Sequence, residues 1–195
     1  MSLKIIKAGL LDTIQDQGRY GHQHLGINPG GAMDRFASQL ANSLLGKDLN
    51  SPVIEIHFPG PQLLFEKETI ICITGAAFTP TINNKNIALN QPIAVNKNTE
   101  LRFEKKLSGA RCYIAFLHDL DIDIWMNSYS TNLVAKAGGF KGRAFQKGDK
   151  LNFKYKAEFK ISLKEKDFLK LSWKATETIQ SVSYTHLTLP TICSV

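Results

Sequence analysis

Residues Asp12 to Gly46 read DTIQDQGRYGHQHLGINPGGAMDRFASQLANSLLG, and their pattern changes halfway along. In the first half, Asp12, Gln15, Asp16, Gln17 and Arg19 crowd around Gly18 and Gly21, and Asn28-Pro29-Gly30-Gly31 adds turn chemistry through fixed and positive φ values. Irregular surface backbone is the expectation here. From Met33 onward, Met33, Phe36, Ala37, Leu40, Ala41, Leu44 and Leu45 recur at helical spacing, with Gly46 where a left-handed cap belongs. This predicts one amphipathic helix near residues 33–45, about three turns long. Asp34 falls in its first turn, where a carboxylate complements the unpaired amides, and Gly30-Gly31 lets another backbone or a ligand come close. Two readings stay open: a binding edge, or a glycine turn leading into a helix that only covers the core.

The chain on either side reads as strands. Val53 to Ile56, Gln62 to Phe65, Thr69 to Thr74, Phe78 to Ile82, Ile93 to Val95, Glu100 to Phe103 and Arg111 to Phe116 are short, β-branched or aromatic, and bounded by Gly, Pro and Asn. Asn83-Asn84-Lys85-Asn86 suits a hairpin loop. Such spacing points to a mainly β, antiparallel sandwich or barrel with one helix over an opening.

With 195 residues, 43% apolar and 21% charged, the chain has the make-up of a folded globular domain, or of one domain and a piece of a second. No apolar run approaches the roughly 20 residues a membrane helix requires, and the first nine residues lack a signal-peptide core, so a cytoplasmic protein without a membrane partner is expected. Cys72, Cys112 and Cys193 form no CxxC pair and are expected as reduced thiols. The net charge of +7 is local: Lys141 to Lys174 holds eleven Lys or Arg against four Asp or Glu. Within it, Leu151, Phe153, Tyr155, Ala157, Phe159, Ile161 and Leu163 alternate with mostly charged residues, as in strands with lysines facing water. Because the aromatics fall on the buried parity, a nucleic-acid surface is not expected.

Two further segments carry candidate chemistry. Asn127 to Asn132 (NSYSTN) offers hydroxyls and amides, and Ala137 to Arg143 (AGGFKGR) follows as a glycine-rich cationic loop. Together they could hold an anion or a carbonyl oxygen, or simply form a tight turn between strands. The Gly-Lys-Ser/Thr ending of a Walker loop is absent. His22 and His24 lack a carboxylate or cysteine partner at a ligand spacing, so no metal site is assigned; His57, beside an apolar strand, reads as a structural imidazole.

The run DTIQDxGRxGxxxxGxxxxGAMDRxAxxxANxLLG, followed by PVIEIHFPGPQLLFE, ITGAAFTPTIN and STNLVAKAGGFKGRAFQKGD, resembles the C component of the bacterial ATP-dependent 5-oxoprolinase. The same family covers the antagonist of the sporulation kinase inhibitor, the second subunit of allophanate hydrolase and part of the carboxyltransferase region of urea carboxylase. The likeness runs from about Leu3 to Phe153. It implies a cyclophilin-like antiparallel β-barrel and partnership with 5-oxoprolinase subunits B and A. In that enzyme the B and C components use ATP to activate the lactam of 5-oxoproline, and the A component completes its opening to L-glutamate. Ser128, Ser130, Thr131, Gly138, Gly139, Gly142 and Arg143 fall on the family's Gly-Ser-x-Ser-Thr and Gly-Gly-x-x-Gly-Arg signatures, and with Asp16, Arg19, Gly31, Met33, Asp34 and Arg35 they form the implied pocket. Arg19, Asp34, Arg35 and Arg143 are expected to orient an anion or substrate, and Asp16 to hold the loop; no catalytic base is assigned. Asn127 departs from the family's glycine, and His118-Asp119 from its Gly-Gly pair.

The resemblance leaves two other functions open: a biotin-dependent carboxyltransferase component like that of urea carboxylase, with biotin as cofactor, and a non-catalytic module binding a kinase-inhibitor-like B component. It also implies a chain continuing into a second β-rich half. Residues 1–150 are therefore expected to form the family's N-terminal domain and 151–180 a truncated start of that half. Ser181 to Val195 (SVSYTHLTLPTICSV) has no Lys, Arg, Asp or Glu, resembles a translated adapter, and is expected to be a non-native tail. A fragment of this kind is expected to be inactive alone.

Overall fold

The computed structural model of the chain describes residues 2–154. The expected strands beyond Lys154, the remainder of the second half, the tail and Cys193 lie outside the described residues. Ten strands and one α-helix follow in the order β1 (Ser2–Lys7), β2 (Thr13–Gln15), α1 (Arg35–Leu44), β3 (Val53–Ile56), β4 (Gln62–Phe65), β5 (Thr69–Ile82), β6 (Lys85–Asn86), β7 (Pro92–Val95), β8 (Thr99–Phe116), β9 (Asp119–Leu120) and β10 (Lys150–Lys154). The fold is mainly β, as the sequence predicts: one antiparallel sheet curled into a half-barrel, ordered β2-β3-β8-β4-β1-β10-β9, with β5 on β8 and β6 and β7 on β5.

The curl comes from β5 and β8. Their register slips between Gly75 and Ala77, between Ala77 and Phe78, and between Phe78 and Pro80. Each irregularity bends the ladder and raises its twist. One end of β8 thereby meets β4, with Leu101 opposite Leu63, while its other end meets β3, with Ile114 opposite Ile54. The sequence predicts four strands where the structure has these two, because Gly75 and the polar run around Lys105 read as breaks; they are the bends of continuous strands.

Alternation along the strands sorts the side chains onto two faces. Ile54, Ile56, Ile71, Ile73, Ile114 and Phe116 enter the main core, while Val53, Ile70, Cys72, Tyr113 and Ala115 pack under α1. Burying each of these isoleucines contributes roughly 1.5–3 kcal/mol. Leu151 and Phe153 extend the predicted period of two into β10, which pairs with β1 and so joins the sheet of the preceding residues. Burial pushes the Cys72 and Cys112 thiols up to about 12, which keeps both protonated. Among the described residues no helix is long and apolar enough to cross a membrane.

Helix α1 differs from its predicted face. Ala37, Ser38, Ala41 and Asn42 are its buried residues, whereas Met33, just before it, is 70% exposed and Phe36 is 64% exposed. Small side chains let the helix lie close on the sheet, close enough for Thr74 Oγ1 to donate to the Ala37 carbonyl at 2.7 Å. The bulky pair turns outward. The structure makes Asp34 the N-cap, one residue before the helix, where its Oδ1 accepts from the Ala37 amide at 2.9 Å. At the other end Gly46 adopts φ 65°, its amide bonds the Ser43 carbonyl at 2.9 Å, and the Lys47 amide bonds that of Asn42 at 3.0 Å. These are the two bonds of a Schellman cap.

A Cβ at Gly46 would meet no atom within 4 Å, so only backbone strain opposes a side chain there. Gly46→Ala is therefore expected to cost about 1 kcal/mol, read as a lower urea midpoint with an unchanged slope; an unchanged midpoint contradicts the cap.

Candidate functional site

Asp16 joins the two segments singled out in the sequence. Its carboxylate accepts four hydrogen bonds: from the Gly18 amide at 2.7 Å, the Ser128 hydroxyl at 2.7 Å, the Ser130 hydroxyl at 2.5 Å and the Tyr129 amide at 2.6 Å. The Asp16 amide in turn donates to Ser130 Oγ at 2.9 Å. The expectation of irregular surface backbone around Asp16 is therefore corrected: Thr13–Gln15 is strand β2, Asp16 is 0% exposed, and Arg19 is 1% exposed. A carboxylate can be buried this deeply because its lone pairs are satisfied and a cation lies beside it.

That cation is Arg19. Its Nη2 donates to the Ser130 carbonyl and its guanidinium lies over the Trp125 ring, 4.6 Å from the centroid. Nε and Nη1 find no acceptor among the described residues, and burial pulls the group below its ordinary pKa although Asp16 opposes this. Gly31 sits at φ 93°, and a Cβ there would lie 2.8 Å from the Gly18 amide nitrogen, so this turn admits no side chain. Thr131 completes the junction, donating from both its amide and its hydroxyl to the Ile14 carbonyl at 2.9 and 3.0 Å.

The remaining predicted residues divide between scaffold and surface. Gly138, Gly139 and Gly142 pack against the backbone or side chains of Ser130, Thr131 and Lys136. Arg143 is engaged by Asp149 through two bonds of 2.7 and 2.8 Å, which raise its pKa and occupy the fork expected to hold substrate. Asp34 is spent on its cap, and Met33 and Arg35 face outward, with the Arg35 guanidinium 5.4 Å from the Tyr20 ring centroid. The structure thus brings Asp16, Arg19, Gly31, Ser128, Ser130, Thr131 and the glycines together and leaves Met33, Arg35 and Arg143 outside that junction. Asn127 adopts φ 58°, a left-handed conformation that asparagine tolerates where the family has glycine.

An open cleft of about 310 Å³ lies in front of the junction, walled by Gln15, Asn28 and Gly30 from one segment, by Thr131 and Asn132 from the other, and by Glu55, His57 and Arg111 from the sheet. Asn132 Nδ2 donates to Asn28 Oδ1 at 3.0 Å across it. Glu55 Oε2 accepts from the Met33 amide at 2.8 Å and from the Tyr113 hydroxyl at 2.9 Å, and Tyr113 accepts from the Asp34 amide at 2.7 Å, which ties the cleft wall to the start of α1. Three buried atoms of the lining have no hydrogen-bond partner: Gln15 Oε1, His57 Nδ1 and Arg111 Nε. Burial first, and then the charge of Arg111, hold His57 below its usual pKa against the opposing effects of Glu55 and the Leu11 backbone, so its imidazole is neutral at pH 7. Sequence reasoning missed Glu55 and Arg111 and took His57 as structural. The available signal was PVIEIHF, where a carboxylate and an imidazole alternate with buried isoleucines.

Asp12 lies behind this wall, 1% exposed, and burial raises its pKa to about 7 against weaker opposition from the Gly9 and His57 amides.

Comparisons with known proteins identify the relatives of the chain. The family model described as carboxyltransferase domain, subdomain A and B, matches residues 25–188. A urea amidolyase of Lachancea kluyveri is 36% identical over 151 residues, 77% of this chain and 8% of that protein. The C component of the Escherichia coli 5-oxoprolinase is 34% identical over 149 residues, 76% of this chain and 48% of that protein. The crystal structure of the Kluyveromyces lactis urea carboxylase superposes with a TM-score of 0.76 at 34% identity, covering 78% of this chain and 14% of that one. The chain thus spans no more than about half the length of these relatives.

Asp16→Asn places an NH2 among donors and is expected to cost on the order of 3 kcal/mol in urea unfolding; a change below about 0.5 kcal/mol contradicts the clamp. Asp12 has its ordinary value of 3.8 when unfolded and about 7 when folded. The folded state therefore binds the extra proton, so this contribution is complete below pH 3.8 and is lost as pH rises to about 7. Compared with Asp12→Asn, the wild type is expected to gain stability as pH falls across that window, measured by urea midpoints at several pH values. Parallel profiles for the two proteins contradict it.

Proposed function

Since the chain belongs to the family of carboxyltransferase domains, subdomains A and B, we propose that it is part of the C component of an ATP-dependent 5-oxoprolinase, an amide hydrolase that works as a complex with its A and B components. One observation carries the assignment of the site: the two segments clamped by Asp16 jointly wall a cleft, and three of its lining residues carry a buried polar atom without a partner. Buried polar groups are otherwise almost always satisfied, and three exceptions among the residues lining one cleft suit a functional site. A lactam is a poor electrophile, and the cleft's part is to hold its ring and fix the orientation of its amide edge.

ATP is the co-substrate this reading requires, and the two anion-site candidates of the sequence are both engaged within the chain. The N-terminus of α1 is closed by the Asp34 carboxylate on the Ala37 amide, and the loop from Gly138 has its arginine engaged by Asp149.

The second reading, a carboxyltransferase component using biotin, is favoured by the likeness to urea amidolyase and urea carboxylase. A ureido ring also presents a carbonyl and N–H groups, which the donors and acceptors of the cleft fit as well. In the third, the chain binds a B component without turnover. The full-length protein reconstituted with its neighbouring components is expected to release glutamate from 5-oxoproline with ATP and not without it. Biotin-dependent carboxylation in place of that release supports the second reading; a stable complex with neither activity supports the third.

A further inference from the structure

We infer that the rim of the cleft is a protein-docking surface whose partner is a second chain with an apolar face edged by carboxylates, closing over the mouth and leaving the interior to a ligand. The inference rests on the proposed function only for the assembly that supplies this second chain. Tyr20, Leu25, Met33 and Phe36 are between 52% and 70% exposed around the start of α1 and in the loop before it. The Arg35 guanidinium, 5.4 Å from the Tyr20 ring centroid, ties that loop to the helix start. Leu133 and Val134 line the other lip. Both lips are fastened. Asn132 Oδ1 accepts from the Val134 and Ala135 amides at 3.1 and 3.0 Å while Asn132 Nδ2 donates to Asn28, so one side chain fixes the turn that presents Val134 and bonds it to the opposite lip. The loop carrying Tyr20 and Leu25 is closed at its base by the Arg19 amide on the Pro29 carbonyl and the Ala32 amide on the Asp16 carbonyl, each at 2.8 Å. Scattered exposed hydrophobics are ordinary, but a group of them held on both lips of one cleft marks an interaction site, and a fixed backbone has little freedom left to lose on contact.

Composition and charge decide the occupant. Aromatic residues, methionine and arginine are concentrated at protein interfaces, where aspartate and glutamate are depleted. From Gln17 to Phe36 the one acidic residue is Asp34, engaged in the helix cap, and Asn127 to Gly148 holds none. With Arg143 held by Asp149, the exposed charge of the lips is positive: Arg35 on one, Lys136 and Lys141 on the other. A partner edged with carboxylates complements that sign. A single strand of nucleic acid fits less well, because Leu25, Met33, Leu133 and Val134 give its bases no ring to stack on.

The test is calorimetric titration of the full-length protein with the remaining components of the reconstituted assembly. Phe36→Asp and Val134→Asp probe the two lips, Arg35→Glu the charge, and Leu107→Asp an exposed leucine of β8 outside the rim. Each lip variant is expected to weaken binding about tenfold to a hundredfold, Arg35→Glu to weaken it and flatten its salt dependence, and Leu107→Asp to leave it unchanged. Thermal melts check that the variants fold; should a lip variant not fold, Phe36→Ser and Val134→Ser decide. Lip variants that bind as wild type does, or a Leu107→Asp that weakens binding equally, overturn the docking surface and leave the proposed function standing. Binding of an oligo-dT strand that the lip variants abolish, with their affinity for the components untouched, overturns it in favour of nucleic acid. Weakened docking in the lip variants of an assembly whose wild type releases no glutamate upholds the surface and overturns the proposed function alone. Components that do not assemble with the wild type overturn both.

Discussion

The carboxylate of Asp16 is the constraint on which the rest of the site depends. It is fully buried, yet it accepts from a turn two residues away and from a segment more than a hundred residues further along the chain. An ionised group without those donors could not remain inside the molecule. The carboxylate therefore requires both segments to be in place, and Arg19, held between the Trp125 ring and the Ser130 carbonyl, adds the compensating charge. Local backbone, long-range packing and electrostatics all converge on one side chain.

The half-barrel supplies the opposing wall. Bends in β5 and β8 bring the end of β8 onto β3, so Glu55, Arg111 and Tyr113 share the face on which α1 rests. Glu55 then serves two structures at once, binding the amide that precedes the helix and facing the cation in the cleft. Small residues on α1 make this geometry possible, since Ala37 and Ala41 bring the helix close enough for its start to be held from the sheet. The cleft is consequently rigid on the sheet side. Its outer lip, with Val134 90% exposed, is open.

Much of this is legible in the sequence, and the failures have definite physical causes. Strands β3, β4 and β7 can be read because short β-branched or otherwise apolar runs are set off by proline, glycine or asparagine nearby. Strands β5 and β8 read in pieces because a bulge looks like a break when its partner strand is unknown. The helix is placed to within two residues, but its buried face is not, since hydrophobicity favours Met33 and Phe36 while close packing selects alanine, serine and asparagine. The residues of the Asp16 junction are recognisable as a pattern, whereas their burial is not, because it depends on hydroxyls and amides far along the chain. Arg143 resembles a substrate cation until Asp149, six residues later, is seen to hold it. Glu55 and Arg111 escape notice, and His57 reads as structural, for the opposite reason: each looks ordinary alone, and only the sheet register brings them to one opening.

A crystal structure of the reconstituted assembly with 5-oxoproline bound is the most direct measurement of the central claim. The account predicts the ring between Gln15 and Gly30 on one side and Thr131 and Asn132 on the other, with Asp16 still buried and bonded to Tyr129 and Ser130. A lactam bound elsewhere, with this cleft filled by another protein of the assembly or the two segments drawn apart, would contradict it.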